Sequence, residues 1–136
     1  MKFLGIDYGL KRIGLAKGDD VNYMAFPLSC IINKNIDFVI SEILKISEKE
    51  KFESIVIGLP LDTHLKETEQ SVLTRKFGNV LKEKLNLPVF FENEIFSTQE
   101  AKSKWPSQKF KKIGLIDQTA ALIILQSYLD KMRLKN

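Results

Sequence analysis

The alternation of apolar and polar positions changes period along the chain. Lys2–Asp7 is a short apolar-rich segment, Tyr8-Gly9-Leu10-Lys11 a turn, and Arg12–Lys17 a second segment. Gly18-Asp19-Asp20 is a turn signal, and Asn22–Cys30 supplies a third strand. Three short segments joined by tight turns predict an antiparallel meander. Pro27 lacks a backbone donor, which predicts an edge position or a break in the third strand. From Ile36 the period becomes helical. Ile36, Val39, Ile40, Ile43 and Leu44 follow i, i+3, i+4, i+7, i+8, with Asn35 as the N-cap. Ser54-Ile55-Val56-Ile57-Gly58 is a β-branched run of the kind found in strands covered on both faces. A second helix is expected over roughly Thr68–Leu85, with Leu73, Phe77, Val80 and Leu81 as its stripe, and then a strand over Pro88–Glu92. Ser97-Thr98-Gln99-Glu100 fits a capping box and predicts a helix start. The last helix spans about Leu115–Arg133. The order β-β-β-α-β-α-β-α-α predicts one α/β domain over residues 1–136. Its five-stranded mixed sheet joins an antiparallel N-terminal meander to two parallel strands through right-handed crossovers, with helices flanking it.

Composition narrows the class. Hydrophobic residues make up 44% and charged residues 28%, values of a globular chain rather than a disordered one. The longest apolar run, Ala120 to Leu125, falls far short of the ~18 residues that cross a bilayer. Met1 and Lys2 lead straight into a strand with no apolar leader. The single cysteine, Cys30, excludes an internal disulfide and a cysteine zinc cluster. Together these predict a cytoplasmic domain with no membrane partner.

Charge suggests a partner. The net charge is +4, from 21 basic and 17 acidic residues. Between Ala101 and Ile116 no residue is acidic, whereas Lys102, Lys104, Lys109, Lys111 and Lys112 are basic. Such a stretch can neutralise phosphates without reading sequence, and it equally describes a solvated loop. Trp105 and Phe110 within it could stack on bases or anchor the loop to the core.

Three carboxylates stand where chemistry could occur. Asp7 ends the first strand, at the position where α/β sheets place ligands. Glu94 follows the Pro88–Glu92 strand, and Asp117 lies in the first turn of the last helix, with small Ala120 and Ala121 at i+3 and i+4. If the strands of Asp7 and Glu94 are parallel neighbours, both side chains emerge at one sheet edge, and Asp117 completes a triangle from above. Converging carboxylates repel unless a cation lies between them, and such oxygen donors suit magnesium or manganese. Each also has an ordinary explanation taken singly: the helix macrodipole for Asp117, a loop carboxylate for Glu94. A charge ending an apolar strand, as at Asp7, is less easily explained away. His64 is the only histidine, so no histidine-based triad with Cys30 is in view; His64 reads as exposed and Cys30 as a small buried hydrophobe.

Gly5-Ile6-Asp7-Tyr8-Gly9 followed by Lys11-Arg12-Ile13-Gly14-Leu15-Ala16 resembles the opening of the YqgF/RuvX family of the ribonuclease H-like superfamily. Ile57-Gly58-Leu59-Pro60-Leu61, Glu94 with Ser97-Thr98-Gln99-Glu100-Ala101, and Ile116-Asp117-Gln118-Thr119-Ala120-Ala121 resemble that family's later motifs, in order. The resemblance implies a ribonuclease H-like fold and a metal-dependent nuclease with Asp7, Glu94 and Asp117 as its acidic triad, holding Mg2+ or Mn2+. It implies processing of the 5′ end of precursor 16S rRNA in the cytoplasm, with resolution of Holliday junctions as the older assignment. Precursor rRNA is the favoured partner and branched DNA the alternative, acted on by a monomer or weak homodimer.

Three positions depart from the family pattern. Asn93-Glu94-Ile95 stands where Asp-Glu-Arg is usual, and Leu10 where threonine is usual. The first departure removes a neighbouring carboxylate and a phosphate-binding arginine and bears on grip of the substrate more than on metal binding, and Leu10 removes a hydroxyl near Asp7. Lys11, Arg12, Lys109, Lys111 and Lys112 are the candidates for holding the nucleic-acid backbone. A non-catalytic assembly factor that uses the basic residues alone is the competing reading, supported by Ile95. A Gly-x-Asp-x-Gly hairpin also opens actin-like ATPases, but those close two domains over ATP, and this chain has neither a second domain nor a Walker A sequence.

Overall fold

In a computed structural model, residues 1–94 and 119–135 are described with their side chains and residues 115–118 by backbone alone. The described elements are β1 (Lys2–Tyr8), β2 (Arg12–Asp19), β3 (Ala25–Ile32), α1 (Ile36–Glu50), β4 (Ser54–Pro60), α2 (Glu69–Leu85), β5 (Val89–Glu94) and α3 (Leu115–Lys135). The strands form one sheet in the order β3-β2-β1-β4-β5. β1 pairs antiparallel with β2, and β2 with β3, while β1, β4 and β5 are parallel. β1 is therefore central, with the meander on one side and the crossover strands on the other. The expected helix at Ser97 and the lysine-rich stretch lie outside the described residues.

Local chemistry explains the element ends. Asn35 accepts a hydrogen bond from the Phe38 amide at 2.8 Å and caps α1. Thr68 and Ser71 form a reciprocal capping box at the start of α2. Both helices end on left-handed residues, Lys51 and Asn86, whose amides return to Ser47 and Lys82. β3 begins at Ala25 rather than Asn22, because Tyr23 takes a positive φ of 57° and Asp19 accepts the Val21 and Asn22 amides, extending the turn. Pro27 satisfies both expectations: β3 is an edge strand, and its register with β2 shifts between Leu15 and Ala16, which face Ser29 and Pro27.

Two clusters fill the two faces. One face packs Leu4, Ile6, Ile13, Leu15, Ile55 and Ile57 against α1 and α2, through Val39, Ile43, Phe77 and Leu81. The other packs Phe3, Ala16, Ala25 and Val56 under α3, through Ala121, Ile124, Leu125 and Leu129. The α2 stripe differs from the expected one. Leu73 is exposed, and Ser71, Thr74 and Gly78 share the buried face with Phe77 and Leu81. The hydroxyls of Ser71 and Thr74 donate to the Thr68 and Gln70 carbonyls, so these residues pack as small groups with satisfied polar atoms. Cys30 is only partly buried, at the edge strand, and His64 is exposed. Among the described residues no helix is long and apolar enough to cross a membrane.

Candidate active site

The strands of Asp7 and Glu94 are parallel but not neighbours: β4 runs between them. Ile6, Ile57 and Phe91 stand in one cross-strand row, so Asp7 comes one residue past that row and Glu94 three residues past it. Glu94 is the last residue of β5 rather than a residue beyond it. The two carboxylates share a face. Alternation from buried Phe3 puts Gly5 and Asp7 on the α3 side of β1, and from buried Val56 it puts Gly58 on the α3 side of β4.

Gly58 allows the intervening strand to be crossed. A Cβ built there would collide with Oε2 of Glu94 and with the Ile124 side chain. The Glu94 carboxylate therefore occupies the space that any larger residue at 58 would fill. Asp7 and Glu94 consequently line one solvent-open cavity of about 580 Å³, together with Tyr8, Gly9, Leu10, Lys11, Arg12, Pro60 and Gln70.

The third carboxylate is approached through the backbone. A Cβ on Gly5 would lie 2.7 Å from Leu125 Cβ and 3.2 Å from the Ala121 carbonyl oxygen, so α3 rests directly on β1. Gly18, paired with Phe3, faces Leu129. The helix therefore runs antiparallel to β1, and its N-terminal end points toward the edge that carries Asp7. Asp7 lies two residues, ~6.6 Å, beyond Gly5. Asp117 lies four residues, ~6 Å, before Ala121, in the row continued by Leu125 and Leu129. Its side chain, like those of Lys109, Lys111 and Lys112, is outside the described residues.

The cavity's frame is held by polar contacts from three elements. The Gly9 amide donates to the Arg12 carbonyl at 3.0 Å, closing the β1–β2 turn. Asn33 donates its side-chain amide to the Gly9 carbonyl at 3.0 Å. Gln70, in the first turn of α2, donates to the Tyr8 carbonyl at 3.1 Å. The Tyr8 ring stacks on Phe77 at 4.2 Å between centroids, anchoring the end of β1 to the core. Lys11 and Arg12 are exposed on the rim beside the carboxylates, as is Leu10, 69% exposed at the tip of the turn.

Gln70, Tyr8 and Pro60 were not among the expected site residues. Gln70 carries no motif, and it enters only because α2 begins opposite the end of β1. Gly58 did carry a signal: a glycine closing a β-branched run marks a close approach.

The donor set tests what ion the site would suit. Asp7 and Glu94 offer only hard oxygen donors, and an open cavity leaves room for water, the pattern of magnesium or manganese sites rather than zinc or copper. Among the described residues no three His, Cys, Asp or Glu side chains cluster closely enough to hold a metal ion, so the described part of the expected triad is a pair.

Comparison with known proteins places this geometry. Over 132 residues the chain is 36% identical to a protein of Paraburkholderia phymatum named "Putative pre-16S rRNA nuclease", covering 97% of this chain and 87% of that one. A protein of the same name from Mycoplasma mobile is 37% identical, covering 99% and 96% of the two chains. Among solved structures, RuvC of Thermus thermophilus in complex with a Holliday junction substrate superposes with a TM-score of 0.65 at 15% identity, covering 98% and 96%. The fowlpox virus resolvase with Holliday junction DNA superposes at 0.59 and 11% identity, covering 97% and 99%. Likeness at such low identity speaks for the fold, which is ribonuclease H-like. The profile of the family described as "RuvX: Holliday junction resolvase" matches residues 1–131, and the chain belongs to that family.

Proposed function

We propose that this chain, as a single domain over residues 1–136, is a divalent-cation-dependent nuclease that hydrolyses phosphodiester bonds, with the 5′ end of precursor 16S rRNA as its substrate. The observation that carries the reading is the convergence of Asp7 and Glu94 on one open cavity across Gly58, with Lys11 and Arg12 on its rim. The names of the relatives support the substrate class.

Asp7, Glu94 and Asp117 would hold Mg2+ or Mn2+. When bound, such an ion supplies charge neutralisation at the scissile phosphate and an acidified water. The chain's own residues do the rest. Lys11 and Arg12 grip a phosphate flanking the scissile one, and Lys109, Lys111 and Lys112 hold the nucleic-acid backbone. Glu94 accepts a hydrogen bond from the attacking water and orients it in line with the leaving oxygen. The Gly9, Asn33 and Gln70 contacts fix the turn, so Asp7 needs little rearrangement as charge develops. Positioning and neutralisation account for most of the rate gain. The domain works in the cytoplasm, as a monomer or weak homodimer.

Resolution of four-way DNA junctions is the second reading, favoured by the family's description and by the junction-bound structural relatives. It requires two active sites and hence a dimer.

The test compares wild type with Asp7→Asn on precursor 16S rRNA and on a four-way DNA junction, each with Mg2+ and with chelator. We expect rRNA cleavage only with metal, reduced at least ~100-fold in Asp7→Asn with binding retained. Equal cleavage by Asp7→Asn, or cleavage in chelator, overturns the reading. Binding with no cleavage under any condition hands the protein to the assembly-factor class.

A further inference from the structure

A second surface lies on the α3 side of β5. Phe90, Glu92 and Glu94 occupy alternate positions, so they share that face of an edge strand. The Phe90 ring stacks on Tyr128 of α3 at 5.8 Å between centroids with 26° between planes. Tyr128 in turn meets Phe3 at 5.8 Å. The three rings form a ladder from the core to the surface: Phe3 is 1% exposed and Phe90 is 42% exposed. Beside the outer rings lies a cavity of about 330 Å³, lined by Glu92, Tyr128, Lys131, Met132 and Lys135.

Its charges are arranged to favour an anion. Glu92, the one acid of the cavity, is buried and ion-paired with Lys131 Nζ at 2.6 Å. That pair cancels the carboxylate, yet the Lys131 side chain stays 63% exposed, and an ammonium keeps two further donors to offer. Lys135 adds a surplus positive charge one helical turn away. A hydrophobic core needs no lysines around its outermost ring, and a solvated charged face needs no exposed phenylalanine. The combination of an aromatic face, backed by a second ring and flanked by lysines, is what unpaired bases and their phosphates require.

We propose that Phe90 and Tyr128 form a stacking subsite for an unpaired polynucleotide strand, with Lys131 and Lys135 holding its phosphates. The strand then runs along β5, from the cavity of Asp7 and Glu94 out to Phe90, four residues or ~13 Å away. The proposal rests on the nuclease reading for its direction, and it makes the substrate one with a single-stranded extension beside the cleaved bond. A duplex cannot offer a free base face to the Phe90 ring, so a paired segment gains nothing there.

The experiment measures binding of fluorescently labelled oligonucleotides by anisotropy in chelator, where no cleavage occurs. An unpaired RNA, an unpaired DNA and a blunt duplex of the same sequence are compared. We expect Phe90→Ala to weaken binding of the unpaired strands roughly ten-fold and leave the duplex unchanged. Phe90→Trp retains the affinity, and unchanged duplex binding by Phe90→Ala shows that the fold is intact. Lys135→Gln lowers the salt slope for unpaired strands by ~0.7, the contribution of one phosphate. Photo-crosslinking of a bromouridine oligonucleotide to peptides of β5 and α3 gives a second readout in unaltered protein. Unchanged affinity in Phe90→Ala, or no crosslink to β5 or α3, overturns the subsite and leaves the patch to a protein partner. The two readings fail separately. Loss of cleavage in Asp7→Asn alongside normal oligonucleotide binding by Phe90→Ala sinks the subsite only. Stacking without cleavage by wild type sinks the nuclease only.

Discussion

On the side of α1 and α2, the sheet presents Leu4, Ile6, Ile13, Leu15 and Ile57, and the helices answer with Ile43, Phe77 and Leu81. On the side of α3 it presents Gly5, Ala16, Gly18 and Gly58, and the helix answers with Ala121 beside Ile124, Leu125 and Leu129. Large side chains hold the first pair of layers apart and stabilise by the apolar area they remove from water. Small residues let α3 lie with its backbone close to the strands. The acidic residues follow that division. Asp7 and Glu94 lie on the small-residue face, and the helix pressed against that face carries Asp117 in its first turn. Both faces bury apolar side chains, and the α3 face carries Asp7 and Glu94 as well.

The contrast can be broken from either side. Ile43 is fully buried between α1 and the sheet, and Ile43→Ala should cost ~2–5 kcal/mol in urea denaturation, while cleavage per folded molecule changes little at a temperature where the variant is native. A larger loss of turnover than of stability would show that the aliphatic face also positions the site. Gly58→Ala should behave in the opposite way. The added Cβ must displace Glu94 or Ile124, costing ~1–3 kcal/mol of stability. If Glu94 acts as proposed, moving its carboxylate by ~1 Å should lower cleavage by roughly 100-fold. Wild-type turnover in Gly58→Ala would remove Glu94 from the machinery.

The smallest effect is a titration on the α3 face. Burial, and then the nearby charge of Glu92, push the Tyr128 hydroxyl above the usual tyrosine range. The unfolded chain, with an ordinary tyrosine, loses this proton first as pH rises. The associated stability is fully present below pH ~10 and is lost as pH climbs toward the folded value. In a tyrosinate absorbance titration the difference between wild type and Tyr128→Phe should develop above the ordinary tyrosine range. A difference curve centred in the ordinary tyrosine range would mean that Tyr128 is solvated.

Much of this division could be read from residue order, and the failures have physical causes. The change from strand to helix period located each described element, because a sheet covered on both faces leaves β-branched runs such as Ile55–Ile57. Asn35, Pro27 and the buried Ala120–Ala121 pair fell where their chemistry predicted. The stripe of α2 was misjudged at Leu73, since counting only large apolar residues overlooks Ser71 and Thr74, whose hydroxyls bond back within the helix. Cys30 was expected to be buried but is only partly so, on a strand with no neighbour on one flank among the described residues. Asp7 stood out in the sequence as a charge closing an apolar strand, and it lines the candidate site's cavity. Its relation to Glu94 was not legible, because sequence order does not reveal that β4 is inserted between their strands. The same gap hid Gly58, whose role exists only once Glu94 reaches across it. Gln70 was hidden for a like reason, as it acts through the Tyr8 carbonyl from a helix 62 residues away.

The nuclease reading stands on Asp7, Glu94 and Asp117 jointly binding a divalent cation. Calorimetric titration of Mn2+ into wild type and into Asp7→Asn, Glu94→Gln and Asp117→Asn, each first shown to be folded, tests it without relying on any substrate. We predict a binding isotherm for wild type that weakens at least ten-fold in each of the three variants. Equal Mn2+ affinity in all four proteins, or no Mn2+ binding by wild type, would contradict it.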